Sequence, residues 1–200
     1  MKILNCVQRS EKWFAAKLGI PSASSFDKII TTAGKSSKQA EGYAYNLAGE
    51  RITGKQEETY TNATMQQGVE REDEARQLFE MINEVEIRQV GFVLDDSKRF
   101  GCSPDGLMDD SGLEIKSPLM KTHVGYLLKN DSPVKAYWHQ IQGSMLVCGY
   151  QSWWIMSYYP AMPPLIIRVE RDATFCAALK KALDVFCEDL DELTEKLRSM

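Results

Sequence analysis

The sequence predicts an α/β (α+β) fold, a central mixed β-sheet flanked by helices, on three observations. Residues 10–83 read as helices, residues 85–116 as a run of short strands, and residues 120–200 as helices and strands mixed. Elements of these kinds bury their apolar faces together when the helices cover the sheet. The 200 residues, 44% hydrophobic with four tryptophans, supply enough apolar material for one hydrophobic core, so a single domain over residues 1–200 is expected.

Each element follows from local signals. Ser10 opens a short helix that Gly19 stops, and Ser22 to Ser25 offer caps for a second helix ending near Thr31. Thr32 to Lys38 form a basic loop, and a third helix is expected over residues 39–52. The polar stretch from Gly54 to Thr61 reads as exposed, after which Asn62 opens a long helix to about Asn83. Its apolar stripe is Met65, Val69, Ala75, Phe79 and Ile82, and Glu72 lies on that stripe. Glu70 and Glu74 each lie roughly 200° away around the helix.

Residues 85–94, 99–108 and 112–116 read as consecutive strands, with turn signals at Asp95-Asp96 and at Asp109 to Gly112. Helices are expected over 120–129 and 133–148, then strands over 151–159 and 165–170 around Pro160, Pro163 and Pro164. The last helix starts near Ala173. Phe175, Leu179, Leu183, Phe186, Leu190, Leu193 and Leu197 recur by threes and fours, the spacing of an amphipathic stripe.

Bulk properties exclude several classes. No apolar run is long enough to span a membrane, and the N-terminus lacks the apolar stretch of a signal peptide. Five cysteines without CxxC spacing read as reduced, packed thiols, which points to the cytoplasm and away from a zinc or iron–sulfur site. A net charge of −4 and a pI near 5.3 argue against coating nucleic acid through a basic surface. Asp184, Glu188, Asp189, Asp191, Glu192 and Glu195 place much of that negative charge on the last helix, as a solvated face or a protein contact.

Ser103-Pro104-Asp105-Gly106, followed by Leu113-Glu114-Ile115-Lys116, carries the clearest chemistry. On a strand Glu114 and Lys116 share one face, while Leu113 and Ile115 take the other. Two carboxylates brought together bind a hard divalent cation, and a nearby lysine orients or deprotonates a water, a combination suited to phosphodiester hydrolysis. The alternative is a surface hairpin with charged residues at its tip. Glu72 is either a third acid at the same site or the partner of a buried arginine such as Arg76, one turn on. Tyr137 and Gln140 share a helix face, either as packing or with Gln140 facing a phosphate. Arg9, Lys12, Lys17, Lys35 and Lys38 gather positive charge around Trp13, as solvated helix faces or as a phosphate-binding wall. His123 and His139 lack metal-like spacing and are left unassigned. Trp153 and Trp154 alternate faces, and at least one ring belongs to the core.

Pro104-Asp105 with Glu114-Ile115-Lys116 resembles the PD-(D/E)xK nucleases. An ordered series of segments resembles, more narrowly, the phage lambda exonuclease family of viral recombination nucleases. The segments are Trp13 with Lys17-Leu18-Gly19-Ile20 and Ala23-Ser24, then Gly68 with Glu72, Ala75-Arg76 and Leu78-Phe79-Glu80. Cys102 to Leu107, Gly112 to Lys116 with Pro118, and Ala136-Tyr137 with Gln140, Gln142 and Ser144-Met145 complete the series over roughly residues 10–172.

The resemblance implies the PD-(D/E)xK nuclease fold and a 5′→3′ exonuclease that acts on double-stranded DNA. Such an enzyme produces 3′ single-stranded overhangs for phage-type homologous recombination. It further implies Mg²⁺, with Mn²⁺ as a possible substitute and two ions per site. It also implies a homotrimeric ring, a free 5′ end on the duplex, and a single-strand annealing partner. The implied ligands are Asp105, Glu114 and the Ile115 carbonyl, with Glu72 serving a second ion and Lys116 as the catalytic lysine. The implied 5′-phosphate pocket is Lys17, Ser24, Ser103 and Gln140, with Trp13, Tyr137 and Lys35 as further DNA contacts. The best-known member has arginine at the position of Lys17, and lysine lacks the two-pronged grip of a guanidinium. Two other readings of the same residues are a structure-specific endonuclease such as a junction resolvase, and a DNA-binding module without catalysis.

Overall fold

The structure, a computed structural model, describes residues 1–56, 63–128 and 133–200, with residues 63–70 described by backbone alone. The expected exposure of residues 57–61 and the helix start at Asn62 lie outside the described residues. So do the side chains of Met65, Val69 and Glu70.

The described residues form two sheets. Strands β1 (Lys2–Leu4), β2 (Phe92–Leu94) and β3 (Gly101–Cys102) make one antiparallel sheet in that order. Strands β4 (Gly106–Leu107), β5 (Ser111–Lys116), β6 (Ser152–Ser157) and β7 (Leu165–Glu170) make the other, in which β5 and β6 run parallel and pair Glu114 with Ile155. The mixed sheet expected from sequence is therefore present, together with the flanking helices.

Helices cover both faces of the four-stranded sheet. Helix α3 (Ala63–Asn83) lays Ala75 and Phe79 on one face, against Leu113, Ile115, Met156 and Tyr158. The other face carries Trp153, Ile155 and Val169. It packs against Ile141 and Met145 of α6 (Trp138–Cys148) and Leu179 and Leu183 of α7 (Ala173–Arg198). Burying a side chain such as Phe79 stabilises by about 1.5–3 kcal/mol, so these two layers dominate the fold. The α7 stripe is buried from Phe175 to Leu190, while Leu197 at its end is exposed. Helix α2 (Ala40–Thr53) packs beside α7, stacking Tyr43 on Phe186.

Several expected elements take a different form. The strand expected over 85–94 shrinks to β2 because Glu84 turns left-handed at φ 53 and Ile87 N–H donates to Glu80 Oε1 on α3. The strand expected over 99–108 splits into β3 and β4. Pro104 between them has no N–H for a ladder, so the chain breaks away from the sheet at the Ser103–Asp105 stretch. The second expected helix is a short 3₁₀ segment, Ala23–Lys28. Helix α1 (Glu11–Lys17) starts at Ser10, whose Oγ accepts from Trp13 N–H. The basic loop folds back through a Thr31 N–H bond to the Lys35 carbonyl of 2.7 Å. Helix α4 (Met120–Leu128) appears as expected. The single helix expected over 133–148 is α5 (Pro133–Ala136) and α6, divided at Tyr137, whose backbone leaves helical geometry at φ −113, ψ 20. Ile82 is 49% exposed, so the α3 stripe ends at Phe79.

Candidate active site

The break at Pro104 and strand β5 meet at the sheet end, and that meeting builds the site. Asp105 N–H donates to the Leu113 carbonyl at 3.1 Å, while Asp105 Oδ2 accepts the Ile115 N–H at 2.6 Å. The aspartate is thereby fixed to the strand that carries Glu114. Period-two alternation sends Leu113 and Ile115 into the α3 layer and leaves Glu114 and Lys116 on the opposite side, as the sequence predicts.

Glu114 is buried, yet it is a carboxylate. Its Oε1 accepts from Lys116 Nζ at 2.6 Å and from Gln140 Nε2 at 2.7 Å. Lys116 Nζ also donates to Gln140 Oε1 at 3.1 Å and lies 4.4 Å from the centre of the Tyr137 ring. The division of the helix at Tyr137 leaves that ring beneath the lysine. Glu114 Oε2 is buried with no hydrogen-bond partner among the described residues. A buried acceptor without a partner is expensive, and a cation at that position would relieve it.

The electrostatics point the same way. Burial, then the Glu114 and Glu72 carboxylates, push the Asp105 carboxyl well above its ordinary range. Burial also pushes Glu114 up, against the pull of Lys116 and Gln140. Burial disfavours the Lys116 ammonium, but Glu114 and Asp105 outweigh it and hold its pKa above the ordinary lysine value. Two carboxyls that resist ionisation beside one another fit a site designed around an added positive charge.

Glu72 stands on the cleft side of α3 and is held by two arginines. Its Oε2 accepts from Arg9 at 2.6 Å and its Oε1 from Arg76 at 3.0 Å. Arg76 also reaches Asp73 at 2.6 Å and the Asp105 carbonyl at 2.9 Å. Of the two alternatives read from the sequence, the ion pair with Arg76 is present, and Glu72 also borders the cleft with Asp105 and Glu114. Among the described residues no three His, Cys, Asp or Glu side chains close on a single point.

A cleft of about 1210 Å³ runs from these acids to α1 and α2. Lys17, Ser24, Trp13 and Tyr137 border it. Lys17 Nζ sits 4.1 Å from the Trp13 ring centre, so Trp13 positions the lysine and that face of the ring is covered. Burial lowers the Lys17 pKa, and Glu50 opposes the shift. Ser103 and Gln140 lie one contact behind the wall: Ser103 Oγ accepts the Trp13 indole N–H at 3.0 Å, and Gln140 clamps Glu114. Lys35, on its exposed turn, is not among the residues bordering the cleft.

Sequence reading passed over four contributors. Gln8 donates to the Pro104 carbonyl at 2.7 Å and to the Val90 carbonyl at 3.0 Å, tying the N-terminal segment to the loop that bears Asp105. A lone glutamine carries no signal for this. Asn46, Glu50 and Thr53 of α2 border the cleft. Their spacing from Tyr43, by threes and fours, marked a polar stripe that could have been read. His123 proves structural, bonded to Ser157 Oγ at 2.8 Å and to the Pro163 carbonyl at 3.0 Å.

The profile of the YqaJ-like viral recombinase domain matches residues 12–151. A search of curated proteins gave no match. Among solved structures, the alkaline exonuclease LHK-Exo from Laribacter hongkongensis is 31% identical, with a TM-score of 0.85 over 95% of this chain and 97% of that one. The same protein in complex with dAMP matches equally. A phage-related exonuclease from Haemophilus somnus shares the fold at 15% identity, with a TM-score of 0.72 over 89% of this chain and 96% of that one. With a profile match over more than half its length and a relative of this identity over nearly all of it, the chain belongs to the YqaJ-like viral recombinase domain family.

Proposed function

We propose that this protein is a cation-dependent exonuclease. It hydrolyses one strand of duplex DNA from a free 5′ end and leaves 3′ single-stranded overhangs for recombination. The observation that carries the proposal is Glu114, buried with one oxygen clamped by Lys116 and Gln140 and the other without a partner, beside Asp105 in a cleft. The Laribacter relative is an alkaline exonuclease seen with dAMP, a deoxynucleoside monophosphate of the kind an exonuclease releases.

The donor set fits a hard cation, Mg²⁺ or Mn²⁺: two carboxylates that need an added charge, and the main chain of Ile115 on the cleft wall. Asp105, Glu114 and the Ile115 carbonyl would hold the first ion, and Glu72 a second. When bound, such ions supply Lewis-acid charge and a water of lowered pKa. Lys116 orients the attacking water and offsets the negative charge that builds on the phosphate. Gln140 holds Lys116 and Glu114 in one geometry, and Tyr137 supports the ammonium from below. Lys17 and Ser24 on the cleft wall receive the 5′-phosphate, with Ser103 behind them holding Trp13 and Gln140 holding Glu114. The 200 residues act as one nuclease domain. Three copies closing into a ring around the duplex would place an acidic exterior away from the DNA, and a single-strand annealing protein would take the exposed 3′ strand.

The test is digestion of linear duplex labelled at either end, with closed circular DNA beside it, in Mg²⁺ and in EDTA. Release of the 5′ label first, only with Mg²⁺ and never from circles, is the expected result. Cutting of circles would favour the endonuclease reading, and DNA binding without digestion the inactive module.

A further inference from the structure

Arg9 has a role at the site that its contacts and its backbone together reveal. Its φ is 65, in the left-handed region where a side chain is strained and glycine is not. Strain of this kind persists where the surroundings demand it, and at active sites it is part of the function. The surroundings here are specific. The preceding residue, Gln8, is pinned by its own side chain to the Pro104 and Val90 carbonyls, and the following one, Ser10, caps α1. Arg9 is thus held between two fixed points with its guanidinium directed into the cleft.

The two arginines on Glu72 are not equivalent. Arg76 is 8% exposed and committed to Glu72, Asp73 and the Asp105 carbonyl. It cannot leave without stranding buried groups. Arg9 is 46% exposed, borders the cleft and, among the described residues, pairs with Glu72 alone. An ion pair with one half-exposed partner is weak and readily exchanged. A guanidinium is also suited to phosphate oxygens, which it meets with two parallel N–H donors.

We propose that Arg9 is an exchangeable counter-ion of the site: it neutralises Glu72 in the absence of cation and moves to a phosphate oxygen of the bound DNA strand when the cation takes Glu72. This rests on the reading of Glu72 as a cation ligand. Arg9 is then a DNA-binding residue, and it competes with Mg²⁺ in the free protein. Because the exchange links two ligands through one side chain, DNA and Mg²⁺ favour each other's binding.

Two measurements test it, with R9G and R9K. Glycine suits the backbone at this position, so R9G removes the side chain while relieving the strain. First, Mg²⁺ is titrated calorimetrically into the protein without DNA. R9G should bind Mg²⁺ at least threefold more tightly than wild type, R9K should stay close to wild type, and E72Q should remove the difference between Arg9 and glycine. Second, steady-state digestion of 5′-phosphorylated duplex at saturating Mg²⁺ should show KM raised at least fivefold in R9G with kcat changed less than twofold. Equal or weaker Mg²⁺ binding in R9G overturns the proposal, as does an unchanged KM. Wild-type protein that digests no duplex would overturn the exonuclease reading instead, while the Mg²⁺ titration would still decide whether Arg9 competes with the cation.

Discussion

Glu114 and Asp105 are costly residues for this fold, and that cost makes a prediction. Buried carboxyls beside one another repel and lose hydration, so replacing either removes a penalty along with a cation ligand. Asp105→Ala and Glu114→Ala should each abolish Mg²⁺-dependent digestion; in EDTA Asp105→Ala should melt at or above wild type, while Glu114→Ala, which leaves Lys116 and Gln140 without their acceptor, should melt below it. Near-normal hydrolysis by either variant would remove the site assignment. Lys17 yields a second prediction. Its ammonium lies against Trp13 at the cleft wall, so a terminal phosphate would gain a charge-assisted contact there. Duplex with a 5′-phosphate should be digested faster than duplex with a 5′-hydroxyl. Lys17→Ala should narrow that gap about tenfold by slowing the phosphorylated end, and Lys17→Arg should keep or widen it. Equal slowing of both ends in Lys17→Ala would make Lys17 a general backbone contact. At this scale the sequence was legible where chemistry and spacing coincide, as in Asp105, Glu114 and Lys116. It was silent on which oxygen of Glu72 meets which arginine, because that depends on Arg9, 63 residues away.

Elements place these residues, and their placement explains what was readable. Long periodic segments such as α7 carry their own pattern, and its stripe appeared from Phe175 to Leu193, short of the expected Leu197. Strands β3 and β4 did not, since their separation depends on Pro104 leaving the ladder, and β1 carries no alternation long enough to mark it as a strand. The break at Tyr137 was hidden for a related reason: nothing in residues 133–148 forbids one continuous helix. The start of α7 gives an element-scale prediction. Asp172 Oδ1 accepts the Phe175 N–H at 2.9 Å, and Asp172 N–H donates to Gln142 Oε1 at 2.8 Å. Asp172→Ala should remove the cap while leaving the backbone bond, destabilising by about 1 kcal/mol. Specific activity at 25 °C should change little, because no residue of α7 borders the cleft and the helix meets it only through α2, α6 and the sheet. Denaturant melts beside digestion rates measure both. A large activity loss in folded Asp172→Ala protein would mean that α7 bears on the cleft directly.

At the scale of the whole molecule, stability, pH and cation form one linked system. The chain carries a net charge of −4, and two of its carboxyls are held above their ordinary values, Asp105 by burial and by the Glu114 and Glu72 carboxylates, Glu114 by burial and by Glu72. A carboxyl whose pKa is raised on folding binds its proton more tightly in the folded state. Its stabilising contribution is full below the unfolded pKa, near 3.8 for Asp105 and 4.5 for Glu114, and is lost as pH rises through the folded value. Asp191, lowered by Arg51 and Arg99 against its partial burial, acts in the opposite sense and loses its contribution as pH falls. The informative quantity is therefore the difference between wild type and Asp105→Asn, which cancels Asp191. In EDTA that difference should turn against wild type as pH rises from about 4 toward neutrality. In Mg²⁺ it should reverse, because a cation binds the ionised pair and stabilises only the folded state that presents it. The Mg²⁺-induced rise in melting temperature should thus grow with pH in wild type and stay flat in Asp105→Asn. Calorimetric melts across pH 4–8, with EDTA and with Mg²⁺, provide the four curves. A Mg²⁺ effect of equal size at both ends of that range in wild type would mean that the ion binds elsewhere on the acidic surface, and the buried pair would then need another explanation for its cost.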